Sequence, residues 1–116
     1  MTKTADDLIL EALANERRRR ICKVLANTDR TALGVDRIAH RLATREEDST
    51  TRSISKHAET LVVELHHVHL PKLDGAGIVE FDSDGGTVYC RDERVVGSVA
   101  AGRVPPEVGR TDPDES

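Results

Sequence analysis

Residues 65–90 read LHHVHLPKLDGAGIVEFDSDGGTVYC, and this stretch decides the fold because one helix ends and one hairpin forms within it. Pro71 lacks a backbone donor and clashes with the preceding turn, which predicts a kink or a tighter turn near the helix end. Gly75 and Gly77 supply the permissive backbone that ends the helix. Two short apolar runs, 78–82 and 87–91, then flank a glycine-containing turn, so the pattern predicts a β-hairpin.

Upstream of the hairpin, apolar residues recur at helical spacing. The cleanest example is VDRIAHRLA at 35–43, in which four apolar residues share one stripe. In an earlier helix the same spacing places Arg17 and Arg18 near the core edge, where their charged heads can pair with acids. A shorter, glycine-weakened helix follows the hairpin. The main helices are predicted near 5–13, 16–27, 35–46 and 55–74.

The order of these elements indicates one domain. With 116 residues the chain can build a single core, and an aromatic content of 2% makes that core aliphatic. Two successive helices followed by a two-stranded hairpin form the layout of a winged helix-turn-helix. We therefore predict a mostly α fold with a β-hairpin wing, as a single domain over 1–104. The remaining residues, 105–116, are rich in proline, glycine and acids, and we expect an acidic disordered tail.

Charge is unevenly distributed along the chain, whose formal net charge is −4. Residues 15–30 carry six cations against two acids, a local balance of +4. Residues 107–116 carry four acids against one arginine, a balance of −3. Arginines outnumber lysines 13 to 4, and this acidic, lysine-poor composition resembles that of salt-loving organisms. Composition alone therefore does not identify nucleic acid as a partner.

Targeting and catalytic signals are missing from the sequence. The N-terminal MTKTADDLIL lacks an apolar signal core, and the longest nearly uncharged stretch, 95–102, falls short of the roughly 20 residues that span a membrane. We expect a cytoplasmic protein with no membrane partner. Cys22 and Cys90 lack the spacing of a metal site or a disulfide framework, so free thiols are expected. No catalytic triad or phosphate-binding glycine loop is visible, and we expect neither enzyme activity nor a cofactor.

Three segments carry a family resemblance: ALANERRRRICKVLANTD at 12–29, VDRIAHRLA at 35–43 and HLPKLDGAGIVEFD at 69–82. They resemble the opening helix, the second helix and the junction of recognition helix and wing in ArsR-like winged helix-turn-helix regulators. The combined string is most similar to a haloarchaeal branch of that superfamily, and the likeness covers 8–91. The resemblance implies double-stranded DNA as the partner and transcription regulation as the function, and it leaves homodimer formation open.

The histidines His66, His67 and His69 could bind a metal or pack against the core. A stable transition-metal site needs three or four ligands, and no cysteine or acid pair obviously converges with these histidines, so no metal is expected. We predict that His69 lies on the inner stripe of its helix with a ring nitrogen bonded to backbone. His67 and Glu64 should point outward at the same helical spacing.

The candidate DNA-binding residues are basic or histidine side chains in or beside the two central helices. Arg52 and Lys56 stand near the start of the second of these helices, where base edges are usually reached. Each candidate can also be explained as part of a solvated charged face, and the hairpin tip DSDGG is acidic. The alternative function is therefore a protein-interaction module on the same scaffold, with little or no DNA binding. The full candidate set is Arg41, Arg45, Arg52, Lys56, His67 and Lys72.

Overall fold

The computed structural model describes residues 4–28, 32–46 and 51–103, with residues 51 and 52 described in their backbone only. The predicted helices and the hairpin are confirmed, with bounds that differ from the prediction by four residues at most. The elements in chain order are α1 (Ala5–Ala12), α2 (Glu16–Ala26), β1 (Ala32–Gly34), α3 (Val35–Glu46), α4 (Thr51–Glu64), a π-helical turn (Leu65–His69), α5 (Leu70–Gly75), β2 (Val79–Asp82), β3 (Thr87–Cys90) and α6 (Glu93–Ala100).

Short polar side chains cap the N-termini of three helices. The Asp7 amide donates to the Thr4 hydroxyl at 3.0 Å and the Asp7 carboxylate accepts from the Thr4 amide, so α1 begins with a capping box. The Asn15 side chain accepts from the first amides of α2, and the Asp92 carboxylate accepts from the Val95 amide in α6. These caps stabilise the helix starts because they satisfy amides that have no partner within the helix.

One nearly continuous helical segment runs from α4 through α5. At its middle the Leu70 amide donates to the Leu65 carbonyl, five residues back, and forms the π-helical turn. In an ordinary α-helical turn the ring of Pro71 would press against the carbonyl four residues earlier, and a wider turn relieves that contact. The helix therefore widens where the sequence predicted a kink or a tighter turn.

A third strand extends the predicted hairpin into an antiparallel sheet with the order β1-β3-β2. Val88 in the central strand lies opposite Phe81 of β2 on one side and opposite Leu33 of β1 on the other. Gly86, at the hairpin tip, has φ 65°, which a residue with a side chain rarely adopts. The sequence did not predict β1, because three residues are too few to show a period of two.

The core is aliphatic, as the composition predicted. Helix α3 packs against α4, α2 packs against α6, and the inner face of the sheet closes the same cluster. Ile21, Leu42 and Leu61 are fully buried at its centre, and burial of a side chain of this size contributes about 1.5–3 kcal/mol. Among the described residues His69 is the one buried polar side chain, with 6% of its surface exposed. Its predicted place on the inner stripe is confirmed.

The result is a mostly helical, compact single domain with a small three-stranded antiparallel sheet. Within the described ranges, no helix combines the length and the apolar character needed to cross a membrane. The predicted acidic tail, 105–116, lies outside the described residues, and its expected disorder stays a prediction.

Candidate nucleic-acid interface

The outer side of α4 presents a row of exposed side chains. Leu61 and Leu65 of the same helical segment are fully buried, so the opposite side faces solvent. Val63 is 58% exposed in that outer row. A shallow depression of about 320 Å³ opens on this helix beside Ser53 and Lys56. We call the outer row the α4 face, and it consists of Lys56, Glu59, Thr60, Val63 and His67.

Helix α3 holds α4 in this orientation. Ile38, Ala39 and Leu42 form a stripe on α3 with no exposed surface, and this stripe packs toward α4. Only residues 47–50 separate the two helices. The predicted amphipathic stripe of α3 is thus confirmed, and it leaves the remaining sides of both helices available to solvent.

The candidate DNA-binding residues do not form one patch. Arg41 and Arg45 are exposed on α3, one helical turn apart. Lys56 and His67 are exposed on the α4 face, so the predicted outward position of His67 is confirmed. The side chain of Arg52 lies outside the description, although its backbone belongs to the first turn of α4.

Lys72 differs from the other candidate residues because its charge is already paired with an acid. Its Nζ lies 3.0 Å from Oε1 of Glu11 on α1. Both side chains are about two-fifths exposed, and an ion pair this exposed is weak enough to exchange for a phosphate. The structure therefore places Lys72 near α1 rather than near the start of α4.

The hairpin contributes negative charge to the surface. Residues 82–86, at its tip, are all described, and none is basic. The Asp82 carboxylate accepts a hydrogen bond from the Gly85 amide at 3.1 Å, and Asp84 is exposed. Arg91, directly after β3, is paired with Glu80 of β2 at 3.3 Å. The tip is therefore poorly suited to contact phosphates, as its sequence predicted.

Beneath these surfaces lies an ion-pair network centred on Glu46, at the end of α3. The Glu46 carboxylate, 12% exposed, accepts from Arg17 at 2.9 Å and 3.2 Å. It also lies 3.4 Å from an Arg20 nitrogen and 2.8 Å from Nε2 of His57 on α4. One carboxylate thus joins α2, the end of α3 and the first half of α4.

The network continues along α4 to the π-helical turn. Arg17 donates to Oε1 of Glu64, which lies 3.8 Å from Nε2 of His69. On the other side of the ring, Nδ1 of His69 lies 3.3 Å from Arg18. The predicted backbone partner of His69 is wrong, since its ring nitrogens face Arg18 and Glu64. Glu64, which was predicted to point outward, keeps 43% of its side chain exposed while it pairs with Arg17. We call these seven side chains the Glu46 cluster: Arg17, Arg18, Arg20, Glu46, His57, Glu64 and His69.

The cluster shifts the pKa values of its members. Partial burial opposes ionisation of Glu46, but hydrogen bonds from Arg17 and His57 outweigh it and hold the pKa of Glu46 below its usual value. Burial, and then the positive charges of Arg18 and Arg17, lower the pKa of His69 below 6.5. At neutral pH the cluster therefore combines an ionised Glu46 with an uncharged His69.

The other conspicuous side chains are engaged in packing. His66 meets Phe81 edge-on, with ring centroids 5.3 Å apart. Within the described ranges no three potential metal ligands converge. Cys22 and Cys90 are free thiols, as predicted. Burial raises the pKa of Cys22 to about 12, which leaves it protonated and unreactive at neutral pH.

Comparison with known proteins adds a family. The family described as "Domain of unknown function (DUF7344)" matches residues 10–89. The chain belongs to that family. No curated protein and no solved structure matches the chain. The matched region of the DUF7344 domain begins within α1 and ends within β3, so it contains the α4 face and the Glu46 cluster and excludes α6.

Sequence reasoning missed most of the Glu46 cluster. The position of Arg17 near the core edge and its pairing with acids were predicted and are confirmed. The same prediction for Arg18 is wrong in its partner, since Arg18 donates to the Ala12 carbonyl and lies beside His69. Its partners Glu46 and Glu64 are 29 and 47 positions away along the chain. The sequence does show charged residues at the edges of the apolar stripes. Their positions show where the buried side of each helix ends, but not which helices pack against each other.

Proposed function

We propose that this DUF7344 domain is a winged helix-turn-helix that binds double-stranded DNA and regulates transcription, with α4 entering the major groove. One observation carries the proposal: α4 follows α3 after a short connection, packs one side into the core and presents the α4 face to solvent. The order of the helices and the β1-β3-β2 sheet also support it. A helix held in this way can enter the major groove, which is about 12 Å wide.

The residues of the α4 face suit different contacts. Lys56 and, one turn earlier, Arg52 would reach phosphates or guanine edges at the start of the helix. Thr60 can donate to or accept from a base edge, and the exposed Val63 can contact a thymine methyl group. On α3, Arg41 and Arg45 would hold phosphates beside the groove. His67 and Lys72 would lie further along and complete the backbone contacts.

The acidic hairpin limits how DNA is approached. Asp82 and Asp84 would repel phosphates, so the contacts come from the helices rather than from the hairpin tip. Glu59 on the α4 face disfavours a phosphate beside it and can accept a hydrogen bond from a cytosine amino group. The proposed binding is therefore led by α4 and depends on a small number of cations.

The test is an affinity measurement on duplex DNA across a salt series. We expect Arg52→Ala with Lys56→Ala to weaken binding by about 1–3 kcal/mol for each contact removed. Each lost phosphate contact should also flatten the dependence of log affinity on log salt by about one unit. Arg91→Ala with Arg94→Ala is the matched control, since it removes the same charge from two exposed positions away from α3 and α4 and should change affinity much less.

A protein-interaction module is the second candidate, and the exposure of two valines favours it. Val63 is 58% exposed and Val68 is 52% exposed, on the same helical segment. Apolar side chains at the centre of a surface helix are typical of helix-mediated protein contacts. A wild-type chain that binds no duplex at low salt would contradict DNA binding and favour this second function.

A further inference from the structure

A cleft of about 220 Å³ lies between α2 and the C-terminal end of α6, and it is strongly cationic. Its walls carry Arg19, Arg20, Lys23 and Arg103, with Glu16 as their acidic neighbour. Val99 of α6 is the apolar side chain that lines it. Four cations against one acid leave the cleft with a balance of +3. We call it the α2–α6 cleft.

The cations of the cleft differ in their existing partners. Arg20 lies 2.7 Å from Glu16 and also reaches Glu46, and Arg19 donates to the Leu13 carbonyl at 2.7 Å. For Lys23 and Arg103 no acidic partner lies within 4 Å among the residues that the structure describes. These two side chains can accept a further anionic group without first losing an ion pair.

The end of α6 brings the chain to this cleft. Gly102 has φ 84°, its amide donates to the Val99 carbonyl, and the Arg103 amide donates to the Ser98 carbonyl at 2.8 Å. These bonds form a Schellman motif, which ends α6 and positions Arg103. The last described residue, Arg103, is part of the cleft wall.

We propose that residues 104–116 of this chain bind in the α2–α6 cleft. This segment contains Glu107, Asp112, Asp114 and Glu115 against Arg110, so its balance of −3 complements the +3 of the cleft. Its 13 residues could extend roughly 40 Å at about 3.3 Å per residue, which is ample for a site that begins at its own attachment point. The proposal does not depend on DNA binding.

The covalent connection of residues 104–116 to Arg103 favours this segment over a free anion as the occupant of the α2–α6 cleft. Individual surface ion pairs are weak, and a free acidic peptide would need a high concentration to occupy the cleft. A segment joined directly to Arg103 has an effective concentration on the order of millimolar. Several weak ion pairs can then fill the cleft without an apolar anchor.

The test compares full-length variants by NMR of the backbone amides at low salt. The first variant neutralises the segment with Glu107→Gln, Asp112→Asn, Asp114→Asn and Glu115→Gln. The second reverses the cleft charge with Lys23→Glu and Arg103→Glu. The matched control, Arg37→Glu with Arg94→Glu, makes the same change in net charge at two exposed positions outside the cleft.

We expect neutralisation of the segment to shift the amides of Lys23 and Val99. Wild type in about 1 M salt, where charges are screened beyond about 3 Å, should show the same shifts. Cleft reversal should remove the salt dependence of the amides in 104–116, and the control should preserve it. Equal effects of cleft reversal and control would contradict the proposal, because a general charge effect would then explain both.

Two further outcomes would also overturn it. Shifts that grow with protein concentration would assign the cleft to the segment of a second copy. Inorganic phosphate that binds wild type and the neutralised variant with equal affinity would show that the segment does not occupy the cleft. Phosphate that binds the neutralised variant at least several-fold more tightly is the result the proposal requires.

Discussion

Replacement of Glu46 by glutamine should destabilise the fold through the Glu46 cluster. The carboxylate is 12% exposed and accepts hydrogen bonds from Arg17 and His57, both less than one-third exposed. A hydrogen bond to a charged group contributes about 1.5–3 kcal/mol, and the glutamine amide retains part of this geometry without the charge. Arg17 keeps Glu64 and Arg20 keeps Glu16, which reduces the loss. We expect Glu46→Gln to lower the free energy of unfolding by about 2 kcal/mol.

Urea unfolding followed by far-ultraviolet circular dichroism measures this change, since the chain has no tryptophan. For a domain of this size, 2 kcal/mol corresponds to a fall of roughly 8–16 °C in Tm. Glu16→Gln is the matched control because Glu16 also pairs with Arg20 but is 67% exposed. It should change stability by less than about 0.5 kcal/mol. Equal losses in the two variants would refute a special role for the Glu46 cluster.

The stability difference between wild type and Glu46→Gln should also depend on pH. The lowered pKa of Glu46 means that its stabilisation is complete above the unfolded-state pKa, near 4.5, and is lost as pH falls through the folded-state value. Protonated Glu46 resembles glutamine in charge. The stability difference between wild type and Glu46→Gln should therefore shrink in acid, and a difference that stays constant to low pH would contradict the assignment.

Three further predictions follow from single positions. Because the pKa of His69 is lowered, the free energy of unfolding of wild type should fall as pH drops below about 6.5. Urea unfolding of His69→Leu should show a weaker pH dependence between pH 7 and pH 5. Gly86→Ala should cost about 1–2 kcal/mol in urea unfolding because φ is positive, whereas Gly75→Ala, in a helix with open space, should be neutral or slightly stabilising. Elemental analysis of purified protein should find no stoichiometric zinc or nickel, and one equivalent lost in His66→Ala with His69→Ala would contradict the packing roles of these histidines.

The secondary structure was largely readable from local patterns. The stripe of α3 and the capping box at Thr4 depend on residues within one or two turns, so their physical causes are visible in the sequence. The three-residue strand β1 was missed because its pairing with β3 supplies the signal that its own residues lack. The widening at Leu65–His69 was also missed, since proline predicts a disturbance of the helix but not its geometry.

For the candidate interface, helical spacing by itself determined which sides of α3 and α4 face solvent. It placed His67 at the surface and His69 inside, and the structure agrees. The DNA partner stays a prediction, because exposure of a cation does not identify what it binds.

Only the tertiary structure decided which charged groups meet. Glu46 joins Arg17 and His57 because the packing of α3 against α2 and α4 brings their borders within 3 Å. Lys72 pairs with Glu11 across 61 positions of sequence, and Arg103 joins Arg20 in the α2–α6 cleft across a still longer separation. Which side of a helix is buried follows from the spacing of its own apolar residues, so it can be predicted from nearby sequence. An ion pair requires two charged groups within a few ångströms of each other, and only the packing of the helices sets that distance.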